Sequence, residues 1–221
     1  MIQTLLSWSS GKDSAWALHT LRQNPNLDLA GIFCTVNQAF QRVAMHAVRV
    51  ALLQRQAQAL GLPLAILEIP NPCSHDEYAQ VMADFVGRAR AEGVRQFAFG
   101  DLYLEDIRAY REQNLQGSGI DAIFPLWQKP TAALAREMVD SGLRAIITAV
   151  DPRKLPPSFA GREFDHALLD DLPADVDPCG ENGEFHSFVY AGPMFSEAIP
   201  VRVVDVVERD GFIFADVIPI G

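Results

Sequence analysis

Three things are scarce in this chain of 221 residues: cysteine, positive charge and long apolar runs. The three cysteines, Cys34, Cys73 and Cys179, lie far apart and form no C-x-x-C pair. That excludes a disulfide framework and the paired-cysteine zinc and redox motifs. The thiols read as free and mostly buried in a reducing cytoplasm, the expected location. Lys and Arg number 18 against 28 Asp and Glu, a formal net charge of −10. Such a balance favours solubility and argues against broad nucleic-acid binding, which needs a basic footprint. No apolar run reaches the roughly 18 residues of a membrane span, so no membrane partner is expected. Met1-Ile2-Gln3-Thr4-Leu5-Leu6 lacks the basic start of a signal peptide and reads as a strand.

What is present is an ordinary globular composition, 49% hydrophobic and 21% charged. At this length a core needs no disulfide or metal staple. Self-association stays open. Apolar runs at 2–8, 29–36, 64–69, 96–100 and 145–150 read as strands. Segments with helical spacing at 14–22, 44–60, 76–91, 105–115 and 130–139 alternate with them. Gly61, with Pro63 beyond it, stops the second helix. Strand–helix alternation predicts an α/β fold, a doubly wound and mainly parallel sheet covered by helices on both faces. From Asp151 the texture changes to Pro, Asp and Gly. A strand at 185–190 and a hairpin at 201–208 and 212–218 about Arg209-Asp210-Gly211 follow. The expected organisation is a nucleotide-binding domain at 1–150 and a smaller substrate-side α+β region at 151–221.

The segment Trp8-Ser9-Ser10-Gly11-Lys12-Asp13-Ser14 joins the first strand to the first helix. Backbone N–H groups and the helix dipole favour an anion there. Gly11 allows close approach, the hydroxyls of Ser9, Ser10 and Ser14 can donate, and Lys12 supplies positive charge. Asp13 suits either Mg²⁺ or a helix cap. The spacing is not that of a Walker A loop. An ordinary capped helix start explains the residues about as well.

The loop resembles the S-G-G-K-D-S signature of the PP-loop ATP pyrophosphatases, and further segments resemble the diphthine–ammonia ligase family within them. These are Ala59-Leu60-Gly61-Leu62-Pro63-Leu64, Gly100-Asp101-Leu102 with Arg108 and Glu112, Pro125-Leu126-Trp127, and Cys179-Gly180-Glu181-Asn182-Gly183-Glu184-Phe185. The resemblance covers almost the whole chain. It implies an adenine nucleotide alpha hydrolase-like, HUP-type fold, with ATP and Mg²⁺ as cofactors. Two departures stand out. Ser10 replaces the family's first glycine, and Phe185-His186-Ser187-Phe188 replaces its Y-E-T-L. The second suggests a short, bacterial-type member, which would make no diphthamide; a Cβ at Ser10 would narrow the approach to the pyrophosphate.

The resemblance implies that a substrate carboxylate attacks the α-phosphorus, pyrophosphate leaves, and ammonia converts the acyl-adenylate to an amide. ATP, ammonia and an unidentified carboxylate, on a small molecule or a protein, are the expected partners. Ser9, Ser10, Gly11, Lys12, Asp13 and Ser14 are the expected nucleotide ligands, with Asp13 at the metal. Lys12, Asp101, Glu181 and Glu184 are the expected catalytic groups. Asp101 ends an apolar strand, where ligands sit in such sheets. Arg108 would grip a phosphate or carboxylate, oriented by Glu112, or simply form a surface i,i+4 pair with it. Arg42, His46 and Arg49, at i, i+4 and i+7, offer anion contacts or a plain polar face. His186 reads equally as an acid–base group or a structural histidine. Two rival functions remain: a PP-loop tRNA-modifying enzyme, and a non-catalytic adenine-nucleotide-binding protein.

Overall fold

The computed structural model describes residues 1–39, 42, 43 and 48–220. The first strand, β1 (Ile2–Ser7), lies mid-sheet, as its apolar run requires. It pairs in parallel with β2 (Leu27–Asn37) on one side and β5 (Gln96–Ala98) on the other. Beyond these lie β4 (Leu64–Ile69), parallel to β2, and β6 (Asp121–Ile123), parallel to β5. The two-residue β3 (Arg42–Val43) runs antiparallel along the end of β2.

Helices α1 (Lys12–Arg22), α2 (Val50–Leu60) and α5 (Thr131–Asp140) bury one large cluster. Helices α3 (His75–Ala91) and α4 (Glu105–Leu115) bury a second on the other face. Phe33, Phe85 and Phe97 stack at the centre of this second cluster, with ring centroids 4.8 to 5.6 Å apart. The doubly wound, mainly parallel fold is therefore present. Gly61 ends α2 as expected, at φ 65°, and Ser74 and Glu77 add a reciprocal capping box at the start of α3. Among the described residues no helix is long and apolar enough to cross a membrane.

Two expectations are corrected. The run at 145–150 does not extend the parallel sheet. As β7 (Arg144–Val150) it pairs antiparallel with β8 (Phe185–Ala191) and β10 (Phe212–Pro219), and β9 (Val201–Arg209) completes a second sheet in the order β8-β7-β10-β9. The outer parallel strand is β6, too short and too polar at Asp121 to register as an apolar run. The second helix begins at Val50, with Val48 and Arg49 outside it; residues 44–47 of the expected helix lie outside the described residues. Arg42 lies on β3, and Arg49 is the residue before the helix. The β9–β10 turn has φ 51° at Asp210 and 78° at Gly211, as a tight hairpin between twisted strands needs. The short helix α6 (His166–Asp171) crosses the intervening loop, its start capped by Asp165.

Candidate active site

The loop after β1 turns at Ser10, whose φ is 69°. A left-handed residue other than glycine costs about 1 kcal/mol, which gives the family's glycine at this position a backbone reason. Ser10 is fully buried, and its hydroxyl has no hydrogen-bond partner among the described residues. Its carbonyl accepts from the Val189 N–H at 3.0 Å and from Gln56 Nε2 at 3.1 Å. Gln56, itself fully buried, also donates to the Val189 carbonyl and accepts from Trp8 Nε1 at 2.9 Å. The loop is thus clamped between α2 and β8. Nothing in the sequence marked Gln56, one polar residue on an amphipathic helix.

Gly11 precedes α1 with no side-chain cap, so the capped-start reading does not apply. The Ser9 and Ser14 hydroxyls lie 3.1 Å apart, and Ser14 Oγ donates to the Gly11 carbonyl. The Lys12 N–H donates to Ser187 Oγ on β8 at 3.2 Å. Gly100 backs against the start of α1. A Cβ there would lie 2.9 Å from the Asp13 carbonyl carbon and 3.0 Å from the Ser14 nitrogen, so only glycine fits.

Lys12 is 2% exposed. Its ammonium donates to both Asp13 carboxylate oxygens, at 2.9 and 3.0 Å, and to the Cys179 carbonyl. The rings of Phe185 and Phe164 lie 5.3 and 5.7 Å away. Burial disfavours its charged form, but the Asp13 and Glu181 carboxylates outweigh this and hold Lys12 charged, its pKa raised.

A cavity of about 220 Å³ opens over this loop. It brings together Ser9, Lys12, Asp13, Ser14, Asp101 and Glu181 from the expected set, with His186. Glu181 accepts from the Leu102 N–H at 2.7 Å, and its own N–H donates to Asp177 at 2.9 Å. Burial, with repulsion from Asp13 and Asp101, raises its pKa to about 7. Burial beside Lys12 pushes His186 down to about 4, so its ring is neutral at neutral pH. Burial also raises the Cys179 thiol, an unreactive wall of the cavity. Glu184 is 3% exposed and does not line the cavity. One of its oxygens accepts from the Asp177 N–H and Asn182 Nδ2, and the other has no partner among the described residues.

Other expected residues lie elsewhere. Arg108 pairs with Glu112 at 2.8 Å and sits over the rings of Phe124 and Trp127, away from this cavity. Arg111, which the sequence did not single out, takes the cavity wall and contacts Asp101 at 3.4 Å. Its signal was present: Leu104, Ile107 and Arg111 fall on one helical face. Arg42 and Arg49 both hold Asp216 on β10, at 3.1 and 2.5 Å. Their contacts pull Asp216 below its ordinary pKa, against a smaller solvation loss than the two pairings repay. His46 lies outside the described residues. No cluster of three or more His, Cys, Asp or Glu side chains suited to a metal occurs among the described residues.

A clamped Ser-Ser-Gly-Lys-Asp-Ser loop at the carboxyl end of the central parallel strand defines a PP-loop nucleotide-binding α/β protein. Comparison with known proteins narrows this. Residues 2–122 match the diphthamide synthase N-terminal domain and residues 130–214 the diphthamide synthase C-terminal domain. The chain belongs to the diphthamide synthase family, within the PP-loop ATP pyrophosphatases. Among its relatives is the diphthine–ammonia ligase of Homo sapiens, 27% identical over 194 residues, covering 80% of this chain and 70% of the relative. That of Danio rerio is 27% identical over 182 residues, covering 73% and 69%. That of Schizosaccharomyces pombe is 33% identical over 95 residues, covering 41% of this chain and only 16% of its own length.

Proposed function

We propose that this chain is an ATP-dependent, amide-forming ligase that adenylates a carboxylate, releases pyrophosphate and transfers ammonia. The observation that carries the reading is the meeting of two parts in one cavity: the uncapped start of α1 with Lys12, and the facing Glu181 with a pKa near 7. The first suits an anionic leaving group, the second a proton transfer at neutral pH. The names of the relatives support the same reading.

The loop Ser9–Ser14 holds the phosphates in this account. The Ser10 hydroxyl is a buried donor in need of an acceptor, and Gly100 keeps the start of α1 unobstructed. Lys12 would supply positive charge to the phosphates from between two aromatic rings, where low polarity strengthens its field. A second cavity of about 470 Å³ adjoins the first, walled by Trp8, Phe33, Thr35, Val43 and Ile69. Its size and apolar walls suit the nucleoside, over the ends of β1, β2 and β4. Mg²⁺ would arrive with the phosphates and meet Asp13, supplying charge neutralisation on the leaving pyrophosphate; one or two carboxylates suffice for that ion. Asp101 borders the reacting centre. Glu181 accepts the proton that ammonium must lose before it attacks the acyl-adenylate. Glu184 fixes the turn that carries Glu181 and offers a buried oxygen to an N–H donor.

The test is a screen of carboxylic acids with ATP and ammonium, scored by pyrophosphate release, with Lys12→Ala as control. Release by the parent and its loss in the variant support the reading. Equal release by both defeats it. Stimulation by transfer RNA rather than by an acid would favour a tRNA-modifying enzyme.

A further inference from the structure

Three cavities meet at Arg111. It lines the one over the loop, the one assigned to the nucleoside, and a third of about 310 Å³ between α3 and α4. The first two provide what ATP requires, an anion cradle and an apolar compartment. The third is not needed for the nucleotide. Its volume is that of a small-molecule site, and Val86, Phe97 and Tyr110 form part of its apolar wall. Tyr78, Met82, Phe99 and Arg111 line both it and the nucleoside cavity, so the two are neighbours across one boundary.

Arg111 stands on that boundary with its guanidinium 4.9 Å from the centre of the Phe99 ring. The Tyr78 hydroxyl is partly buried beside it, and burial outweighs the Arg111 charge and raises the phenol's pKa. Asp101 contacts it at 3.4 Å, long for a charge-assisted pair. That contact engages Nε, one of the five N–H donors of the fork. Asp101, Glu181 and His186 line both the loop cavity and the nucleoside cavity. In the ligase reading that shared wall is where the α-phosphate joins nucleoside to pyrophosphate, and an acyl acceptor must deliver its carboxylate there.

We propose that the cavity between α3 and α4 binds the acceptor, a small organic acid with an apolar or aromatic body, and that Arg111 grips its carboxylate. The body lies among Met82, Val86 and Phe97, and the carboxylate points across the boundary toward the α-phosphate. This rests on the ligase reading and adds to it the substrate class and the residue that selects it.

The experiment is calorimetric titration of the full chain with phenylacetate and with its neutral counterpart phenylacetamide, each with and without a non-hydrolysable ATP analogue. Phenylacetate binds the parent, and the amide binds roughly tenfold or more weakly, as loss of a charge-assisted contact requires. Arg111→Leu removes that preference and weakens phenylacetate by a larger factor than it weakens the analogue, whose cavities Arg111 also lines; Arg111→Lys keeps part of the preference. Ala83→Trp, a surface change that fills the cavity, abolishes binding of both probes. Melting curves confirm that each variant is folded. The proposal is overturned if the parent does not bind phenylacetate, if Arg111→Leu binds it as well as the parent does, or if Ala83→Trp still binds it. It is equally overturned if Arg111→Leu weakens the analogue and spares the acid, since Arg111 is then a phosphate ligand. Failure of the parent to bind the analogue would defeat the ligase reading, while the titration without nucleotide still decides the pocket.

Discussion

At the scale of single residues, the site depends on two side chains in environments that disfavour them. Ser10 holds a left-handed backbone and a buried hydroxyl without a protein partner. Ser10→Gly removes both penalties, so it should raise the unfolding free energy by about 1 kcal/mol in denaturant titrations. A loss of stability would show that the hydroxyl contributes to the folded chain. Glu181 carries a pKa near 7 against an ordinary 4.5, so the native state favours its protonated form. The stability this lends is fully present below pH 4.5 and is lost as the pH rises to about 7. Glu181→Gln should therefore melt higher than the parent at pH 8 and equally at pH 4, because the amide never has to ionise. The same substitution should lower turnover roughly a hundredfold or more and abolish the rise in rate through neutral pH. An unchanged pH–rate profile would remove Glu181 from the proton transfer.

At the scale of elements, the loop keeps its shape because its neighbours hold it. Gln56 serves Trp8, the Ser10 carbonyl and the Val189 carbonyl at once from inside the core. Gln56→Leu leaves buried polar groups unmatched and should cost about 3 kcal/mol by chemical denaturation; a cost below 1 kcal/mol would mean that those groups find other partners. Gly100→Ala sets a methyl group against the first turn of α1. Nucleotide affinity measured by titration should fall at least about tenfold, with less change in the affinity of the α3–α4 cavity for phenylacetate. By contrast, Arg42 and Arg49 meet Asp216 at a partly exposed position, with 21% of the aspartate side chain accessible. Such a contact contributes at most about 1 kcal/mol.

The elements also show what could be read in advance. The strand, loop and first helix were legible because a buried parallel strand is a continuous apolar run and the loop that follows it is polar and glycine-bearing. Helix α4 was legible to the residue, at Glu105–Leu115. The partner of β7 was not, because Ala145–Val150 is apolar on both faces and reads alike in either sheet type. Arg108 attracted notice through its spacing to Glu112, yet i,i+4 spacing marks a surface pair as readily as a site. Arg111 gained its position from the turn of α4 over the sheet. Ser187 and Gln56 stand out in no way from the other polar residues of their elements, and only tertiary packing gives them partners.

At the scale of the whole molecule, residues from both sheets line the cavity over the loop. The parallel sheet supplies the loop and Asp101, and the segment leading into β8 supplies Glu181 and the carbonyl that Lys12 contacts. Lys12 therefore ties the two halves together while facing the anion site. In the proposed reaction, nucleotide cleavage and the acceptor step would both take place at this cavity. The most direct measurement is of where ATP is cut. The chain is incubated with ATP, ammonium and an acid found in the screen, the acid carrying heavy oxygen in its carboxylate, and the nucleotide product is weighed by mass spectrometry. Adenylation predicts AMP and pyrophosphate, with one heavy oxygen transferred to the AMP. ADP with inorganic phosphate, or AMP without the label, would contradict it.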